Sequence, residues 1–483
     1  MPEAYGNYIN GAWTPASSGE LHENANPADT REVVSVHARA GRDDALAAIE
    51  AARGAFLGWR DTPAPARGDF LFKAAAYIRQ HADVIARDLV REMGKPLAEA
   101  KGETLRAAQI FEFYGGEARR LTGRTFPADG ANTFLYTVRE PLGVVALITP
   151  WNFPVAIPAW KLAPALVAGN AVVLKPATNT PLTAVHIFEA LAHAGLPAGV
   201  ANLCCGPGGE LGDVFADEPA VKALSFTGSY EVGTALAARA HRRLVKVQLE
   251  LGGKNPLILA SDGDLARAVA CAVEGAFSAA GQKCTATSRF LVPRGRYDEV
   301  MTALQAAVAN VVVGNGLDAG VTMGPLVDEP SLERVLAYIR GAREEGATLV
   351  AGGHRLEGPA YANGYFVAPT VFGDVTPAMT LWREEVFGPV LAVTAYDDFD
   401  QALALANDTN FGLAASLVTN DLARAMAFSR RIQAGLVHVN RPTVGASCHV
   451  PFGGFKDSSS GSREQGREAL EFFTQLKTVY VDA

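Results

Sequence analysis

Two short stretches place residues that could do covalent chemistry where a reactant could reach them. Cys284 stands in Gly281-Gln282-Lys283-Cys284-Thr285-Ala286-Thr287-Ser288-Arg289, behind a helix-like run and among small and hydroxylated neighbours that leave its sulfur approachable. As a thiolate it would attack a carbonyl carbon, but a free thiol titrates near pH ~8.5, so a nearby base or backbone dipole has to favour ionisation. Glu250 is the candidate base. It ends the apolar run Leu244-Val245-Lys246-Val247-Gln248-Leu249 and stands just before Gly252-Gly253, which is how a strand delivers a side chain to a sharp turn at its carboxyl end. Active sites of open α/β sheets lie at such ends. Taken singly, a lone cysteine is more often a buried filler and a lone glutamate a surface group; the joint context carries the assignment.

The elements that must position these residues read as α/β alternation. Residues 143–149 and 171–174 are short, β-branched apolar runs of the kind buried on both faces of a parallel sheet, with helix-like residues between them. A helix over 183–193, strands over 200–204 and 222–226, and a helix after Gly228 continue a doubly wound, nucleotide-binding layout. Gly206, Gly208 and Gly212 do not form the GxGxxG pattern. Phe226-Thr227-Gly228-Ser229 is a better cue, a strand end turning into a helix whose first amides could meet phosphate, with an ordinary capped helix as the alternative. A second α/β unit begins at 255–260, and a helix over 265–280 leads to Cys284. Further elements are expected at 289–292, 298–313, 367–372 and 435–440.

Ahead of these units, residues 8–13 form a short ribbon around a turn. Alanine-rich amphipathic helices follow over 43–59, 67–93 and 99–115, with Gly94-Lys95-Pro96 as a stop. These helices read as a layer covering a sheet, with no direct chemistry. Thr133-Phe134-Leu135-Tyr136-Thr137-Val138-Arg139 is β-prone and outside the alternation; left uncovered, such an edge strand would aggregate, so oligomerisation is expected.

A chain of 483 residues is too long for one core, and two or three domains are expected. Net charge is −8 with no basic cluster, which argues against nucleic acid and anionic membrane as partners. The cysteines Cys204, Cys205, Cys271, Cys284 and Cys448 form no CxxC pair and no zinc-type spacing, so neither a disulfide framework nor a metal is expected. The opening Met1-Pro2-Glu3-Ala4-Tyr5 lacks a secretory pattern, and no apolar segment reaches ~18 residues without a charge. The expectation is a cytoplasmic enzyme.

The runs 249–256 and 281–289 resemble the two signature segments of the aldehyde dehydrogenase superfamily, and further landmarks follow in order from Tyr8 to Tyr480. The resemblance implies an α/β fold with a Rossmann-type cofactor domain (1–119 and 142–252), an α/β catalytic domain (253–455) and a small β oligomerisation arm (120–141 and 456–483). In that family the 133–139 excursion pairs with the carboxyl-terminal strand, here the tail 472–481, and joins subunits into a homo-oligomer, a dimer or tetramer.

The resemblance also implies roles. Asn152, in Pro150-Trp151-Asn152-Phe153-Pro154, becomes an oxyanion donor together with the Cys284 amide, with a loop-capping asparagine as the alternative; losing one such donor costs ~2.7–4 kcal/mol of barrier. Lys161 and Glu464 would join a proton path near Glu250. Thr149, Pro150, Trp151, Lys175, Thr178, Gly208, Gly228, Ser229, Leu251 and Gly252 would line the cofactor, with Ser229 at phosphate and Lys175 at the adenine ribose. By the pattern Glu-x-Phe-Gly-Pro, Glu385 would bind the nicotinamide ribose and Phe387 flank the ring. Phe153, Trp160 and Phe452 would wall the substrate tunnel. Lys283, Arg441 and His449 are candidate contacts for an anionic substrate, and Cys448 is a pocket-lining or buried thiol.

Where the family often carries a glutamate that completes recognition of NAD, this chain has Thr178. That removes repulsion against a 2′-phosphate, so use of both NAD and NADP is expected, with a lean to NADP. The Cys284 segment, the run His449-Val450-Pro451-Phe452-Gly453-Gly454 and the chain ending look most similar to α-ketoglutaric semialdehyde (2,5-dioxopentanoate) dehydrogenases, although Phe455 and Asp457 depart from that pattern. Enzymes for succinic semialdehyde commonly place an arginine where this chain has Trp160. Another small or aromatic aldehyde is the alternative. A CoA-acylating relative usually lacks the glutamate base, and a non-catalytic one would have lost Cys284 or Glu250.

Overall fold

The structure is a computed structural model and describes residues 4–482; Met1, Pro2 and Glu3, part of the polar opening, lie outside the described residues. Five parallel strands form the centre of the first sheet, in the spatial order Lys246–Glu250, Val221–Thr227, Val144–Ile148, Ala171–Lys175 and Ala201–Leu203. Antiparallel pieces extend both edges: Ser459–Ser460 beside the first strand, and Asn7–Ile9 with Ala12–Thr14 beside the last.

Strand periodicity explains why the central strands are apolar throughout. Val145, Leu147, Val172 and Leu174 point into one core, shared with the helical layer, while Val144, Ala146, Ile148, Ala171 and Val173 feed the core on the opposite face. Alternate residues are buried on different sides, so no position can be polar without cost.

The second sheet runs Thr348–Ala351, Thr370–Gly373, Val390–Tyr396, Thr287–Pro293, Asn255–Leu259, Ala414–Val418 and Leu436–Val439, parallel except for the first. Leu257, Ile258, Phe290 and Val393 sit in its own core. Two expected helices are altered. The run 67–93 is two helices, Ala64–Gln80 and Ala82–Met93, which meet at His81; Gly94 ends the second in the left-handed conformation at φ 90°. The run 265–280 is helical only over Leu265–Phe277, because Ala279 and Ala280 take positive φ of 49° and 54°.

Thr133–Pro141 and Thr474–Asp482 pair antiparallel over nine residues, with Thr125–Phe126 on the far side of the former. The tail is thus the partner that the excursion needed, and Ser459–Ser460, farther back in the same tail, belongs to the edge of the first sheet. Phe134, Leu476 and Tyr480 remain 56%, 62% and 69% exposed on this small sheet, an apolar display that a lone subunit leaves wet. Among the described residues no helix is long and apolar enough to cross a membrane.

Removing residues 474–483 strips the nine-residue ladder and bares the strand at 133–141. The truncated protein is expected to form high-order aggregates in light scattering; a monodisperse truncated chain would contradict this account.

Candidate active site

The register of the first sheet lines up its carboxyl ends. Glu250 is level with Thr227, Phe226 with Ile148, and Ile148 with Lys175, so the loops that follow leave from one edge. From the strand Val144–Ile148 the chain proceeds outward one way through Ala171–Lys175 and the other way through Val221–Thr227. The crevice at that reversal is where open α/β sheets bind ligands. The hydroxyls of Thr149 and Thr227, both at this edge, are buried with no hydrogen-bond partner. Ser229 caps the helix Tyr230–His241, accepting from the Val232 amide at 3.4 Å, so the capped-helix reading holds and the helix amino terminus opens onto the same edge. Burial pushes the Lys175 ammonium down to about 8. Gly208, at the start of the helix Gly208–Asp217, lies close enough that an added Cβ would meet Lys175 Nζ at 3.6 Å. The Thr178 hydroxyl makes only a long bond, 3.5 Å, to the Gly206 carbonyl.

Four residues, 251–254, carry the chain from Glu250 into the second sheet at Asn255. Asn255 Nδ2 then donates to the carbonyls of Cys284 (2.8 Å) and Ala286 (2.9 Å), fastening the cysteine segment beside the end of the glutamate strand. The cysteine segment is reached through a left-handed turn in which Ala279, Ala280 and Gly281 all have positive φ. Such a conformation costs roughly 1–2 kcal/mol for each alanine, and the surroundings enforce it. The Glu99 carboxylate accepts from the Ala279 amide at 3.0 Å, while the Gln282 side chain spans to Ala279, Pro325 and Val327.

Gln282 also fixes Asn152, whose Nδ2 donates to the Gln282 carbonyl at 3.1 Å and keeps a second N–H for another acceptor. The Asn152 carbonyl in turn accepts from the buried Lys95 Nζ at 2.7 Å, and Lys95 is paired with buried Glu103 at 2.5 Å. Glu103 further accepts the amides of Val155 and Ala156 at 2.9 and 3.1 Å. The helices expected to carry no chemistry therefore supply the groups that hold Asn152 in place.

Burial and the Glu385 and Glu250 carboxylates push the Cys284 thiol up, against the backbone amides of Thr285 and Cys284 itself, so the resting group is a thiol. The dipole that would favour ionisation is present but outweighed. Glu250 is buried, and its carboxyl is held well above the usual range by burial and by Glu464; the Ser459 hydroxyl, donating at 2.6 Å, together with Lys161 and Arg463, pulls the other way. Lys161 Nζ donates to Ser225 Oγ at 2.7 Å and pairs with Glu464, both ends buried. Ser225 reaches Gln248 at 3.0 Å and Glu464 at 3.3 Å. Glu250, Lys161 and Glu464 thus form one buried electrostatic group.

Glu385 folds over the linker: its Oε1 accepts the Gly253 amide at 2.9 Å, and burial raises its carboxyl to about 7. A Cβ at Gly252 would lie 2.1 Å from Glu385 Oε2, and one at Gly253 2.6 Å from the Cys284 carbonyl. Phe387 takes positive φ (54°) and meets the Trp151 ring edge-on at 5.4 Å. Leu251 is buried, and its amide donates to Ser458. Gly228 leaves room for the Phe226 ring, which an added Cβ would meet at 2.5 Å. Pro150 is partly buried beside Trp151.

The Trp160 and Phe452 rings lie tilted at 32°, with centroids 5.6 Å apart, and the Trp160 indole nitrogen is buried without a partner. Phe153 lies beneath Lys95 and Lys283, 4.2 and 6.0 Å from its ring centre. Lys283 is already paired with Glu99 at 2.9 Å, and Arg441 and His449 are exposed. The Cys448 thiol is partly buried and pushed up by burial. Lys95, Gln282, Asn255, Ser459 and Arg463 carry no role in the sequence reading, since each acts through a distant partner.

The profile of the aldehyde dehydrogenase family matches residues 13–479. The chain is 46% identical over 477 residues to the alpha-ketoglutaric semialdehyde dehydrogenase of Bacillus subtilis, covering 99% of this chain and 98% of that one. It is 47% identical over 481 residues to the alpha-ketoglutarate semialdehyde dehydrogenase of Haloferax volcanii, covering 99% of each. Among solved structures, the NAD-dependent aldehyde dehydrogenase from Sinorhizobium meliloti superposes with a TM-score of 0.97 at 37% identity, covering 100% of this chain and 95% of that one.

Because the Gly252 position has no room beside Glu385, Gly252→Ala is expected to destabilise the fold by about 1–3 kcal/mol, seen as a lowered melting temperature. Introducing Glu385→Ala as well should recover part of the loss. An equal loss in both backgrounds would contradict the contact.

Proposed function

This chain belongs to the aldehyde dehydrogenase family, and we propose that Cys284, Glu250 and Asn152 carry out NAD(P)-dependent oxidation of a semialdehyde, 2,5-dioxopentanoate, to the carboxylic acid. The observation that carries the reading is the fastening of Cys284 beside Glu250 at the mouth of a dinucleotide-type crevice.

The residues at the crevice fit a dinucleotide. Two buried, partnerless hydroxyls, Thr149 and Thr227, lie at the reversal of strand order, and a capped helix amino terminus opens beside them. Lys175 and Thr178 would hold the adenine ribose, Gly228 and Ser229 the pyrophosphate, and Glu385 and Phe387 the nicotinamide end, with Pro150, Trp151, Gly208, Leu251 and Gly252 shaping the walls. When bound, NAD(P) supplies the hydride acceptor.

Glu250, once ionised, takes the thiol proton as Cys284 Sγ attacks the aldehyde carbon. The free N–H of Asn152 and the Cys284 amide receive the developing oxyanion. Loss of hydride from that carbon leaves a thioester on Cys284. Once the thiol proton has been passed on, Glu250 withdraws a proton from water as the water attacks the thioester; the carbon–sulfur bond breaks, that proton returns to the sulfur, and the acid departs. Lys161 and Glu464 relay the surplus proton away from Glu250. Phe153, Trp160 and Phe452 wall the substrate, and Lys283, Arg441 and His449 lie on the approach to it.

Thr178 supports use of both cofactors with a lean to NADP. The first sheet, the second sheet and the ladder between Thr133–Pro141 and Thr474–Asp482 support domains at 1–119 and 142–252, 253–455, and 120–141 with 456–483, although Ser459–Ser460 joins the edge of the first sheet. The apolar display of the arm supports a homo-oligomer, a dimer or tetramer, and the absence of a cysteine framework supports a cytoplasmic setting.

With a panel of semialdehydes and aromatic aldehydes, 2,5-dioxopentanoate is expected to give the highest kcat/KM, and preference for an aromatic aldehyde would displace the substrate assignment. Cys284→Ala should abolish oxidation. Glu250→Gln should slow the first turnover of NAD(P)H, because the thiol loses its base, and impair acyl-enzyme hydrolysis most, with steady turnover falling by ~10²–10⁴; full turnover in either variant would overturn the mechanism. The pH dependence has a definite sign. Glu250 is protonated below its raised pKa, so turnover should climb as pH rises through that value. Ser459→Ala, which removes a donor to the carboxylate, should move the acidic limb of the kcat profile to higher pH. An unshifted limb would separate Ser459 from the base.

A further inference from the structure

The helix Leu97–Glu117 turns one stripe of side chains toward the crevice. Glu99 holds the Ala279 amide and Lys283, and Glu103 holds Lys95 and the amides of Val155 and Ala156. Arg106 occupies the next position of that stripe. It is half-buried, its Nη1 donates to the Ala446 carbonyl, and it forms no ion pair among the described residues. Glu112, which acts with Arg106 on the Cys448 thiol, is already paired with Arg79 at 2.7 Å. A lone carbonyl is a weak match for a guanidinium that has lost part of its water.

Ala446 belongs to the loop 441–452, which is anchored beside the reacting sulfur. Thr443 Oγ1 donates to the Thr285 carbonyl at 2.7 Å and lies 2.8 Å from Thr287 Oγ1, so the loop is tied to the residues that directly follow Cys284. Arg441 precedes Thr443 by two residues, and its guanidinium folds back over the turn, where an added Cβ at Gly445 would meet Nη2 at 3.7 Å. Arg441 is exposed and likewise forms no ion pair among the described residues. Two guanidiniums therefore converge on the adjacent residues Gly445 and Ala446 with no carboxylate paired to either. The far end of the loop is Phe452, against Trp160.

We propose that Arg106, assisted by Arg441, receives the terminal carboxylate of the semialdehyde and so sets the preference for a charged over a neutral aldehyde. The inference rests on the semialdehyde reading above and deepens it by naming the group that recognises the acid end. Reach fits the assignment. The aldehyde and carboxylate carbons of 2,5-dioxopentanoate are four bonds apart, roughly 5 Å when extended, and the contact to a guanidinium adds about 3 Å. The three residues from Thr443 to Ala446 span at most ~11 Å, a matching length. Among the other cations near the entrance, Lys283 is held by Glu99 and His449 is exposed. Arg106 keeps N–H groups beyond the one on Ala446, and its planar fork matches both oxygens of a carboxylate.

Aldehydes matched in length and differing in charge test the site. The unmodified protein should show a kcat/KM for 5-oxopentanoate at least roughly tenfold above that for pentanal. Arg106→Gln should lower that ratio by about 10- to 100-fold, through KM more than kcat, and Arg441→Gln, more exposed, by less. Calorimetry with 2-oxoglutarate, the product, reads the same site without turnover, and its affinity should fall in Arg106→Gln by a similar factor. If Arg106→Gln, its melting temperature intact, keeps both the ratio and the 2-oxoglutarate affinity, this site is wrong and the semialdehyde reading survives. Should Arg106→Gln fail to fold, Arg106→Lys carries the test: it keeps the charge and loses the fork, so the ratio should fall in part, and an unchanged ratio overturns the assignment. If the unmodified protein shows no preference for 5-oxopentanoate over pentanal, both readings fall.

Discussion

Two largely parallel sheets meet through a linker of four residues, and the Cys284 thiol and the Glu250 carboxyl stand as a pair because that linker is so short. Glu250 is the last residue of one sheet and Asn255 the first of the next, and Asn255 reaches across to hold the Cys284 carbonyl. Between them, Gly252 and Gly253 lie against the Glu385 carboxylate and the Cys284 carbonyl with no space for a Cβ. A side chain at either glycine would part the elements that bring thiol and carboxyl to one crevice. The glycines are there for close approach, since neither takes positive φ.

Closeness has an electrostatic consequence. Two carboxyl groups, Glu250 and Glu385, act on one thiol, Glu464 acts in turn on Glu250, and burial raises Glu250 and Glu385 together with Cys284. One charge at a time is tolerable in such a place, and the protein supplies limited compensation. Lys161 balances Glu464, the Ser459 hydroxyl eases Glu250, and the Gly253 amide eases Glu385. The same enclosure that makes the resting thiol inert strengthens every dipole aimed at a reacting oxygen. The arrangement therefore favours charge that develops during reaction over charge held at rest.

The helical layer contributes more than cover. Lys95, Glu99 and Glu103 lie in or just before the helix Leu97–Glu117, and through Asn152, Lys283, Ala279 and Val155 they stabilise the two loops that face each other across the crevice. A buried ion pair such as Lys95–Glu103 is a poor source of net stability, but it fixes geometry because losing either partner strands the other. The strand Leu21–Asn26 reaches the same sheet edge, since its His22 hydrogen-bonds to the backbone of Thr178.

Local pattern alone points to strands at 143–149, 171–174 and 222–226, found at Val144–Ile148, Ala171–Lys175 and Val221–Thr227, to the turn at Gly228, to the β-prone run 133–139, found at Thr133–Pro141, and to the candidate pair Cys284 and Glu250. All of these depend on neighbours within a few residues: unbroken β-branched runs, glycine at strand ends, small residues around a cysteine. The helix break at His81 and the left-handed turn at Ala279 and Ala280 are not legible that way, because alanine favours helix locally and only tertiary contacts from Glu99 and Gln282 hold it elsewhere. The partners that set the chemistry are farther still. Ser459 meets Glu250 across 209 positions, Lys161 meets Glu464 across 303, and Asn152 meets Gln282 across 130. A hydrogen bond specifies a distance and an angle in space and leaves no period in the chain, so which residues are candidates for the chemistry was written locally, and how each is held and charged was decided by the fold.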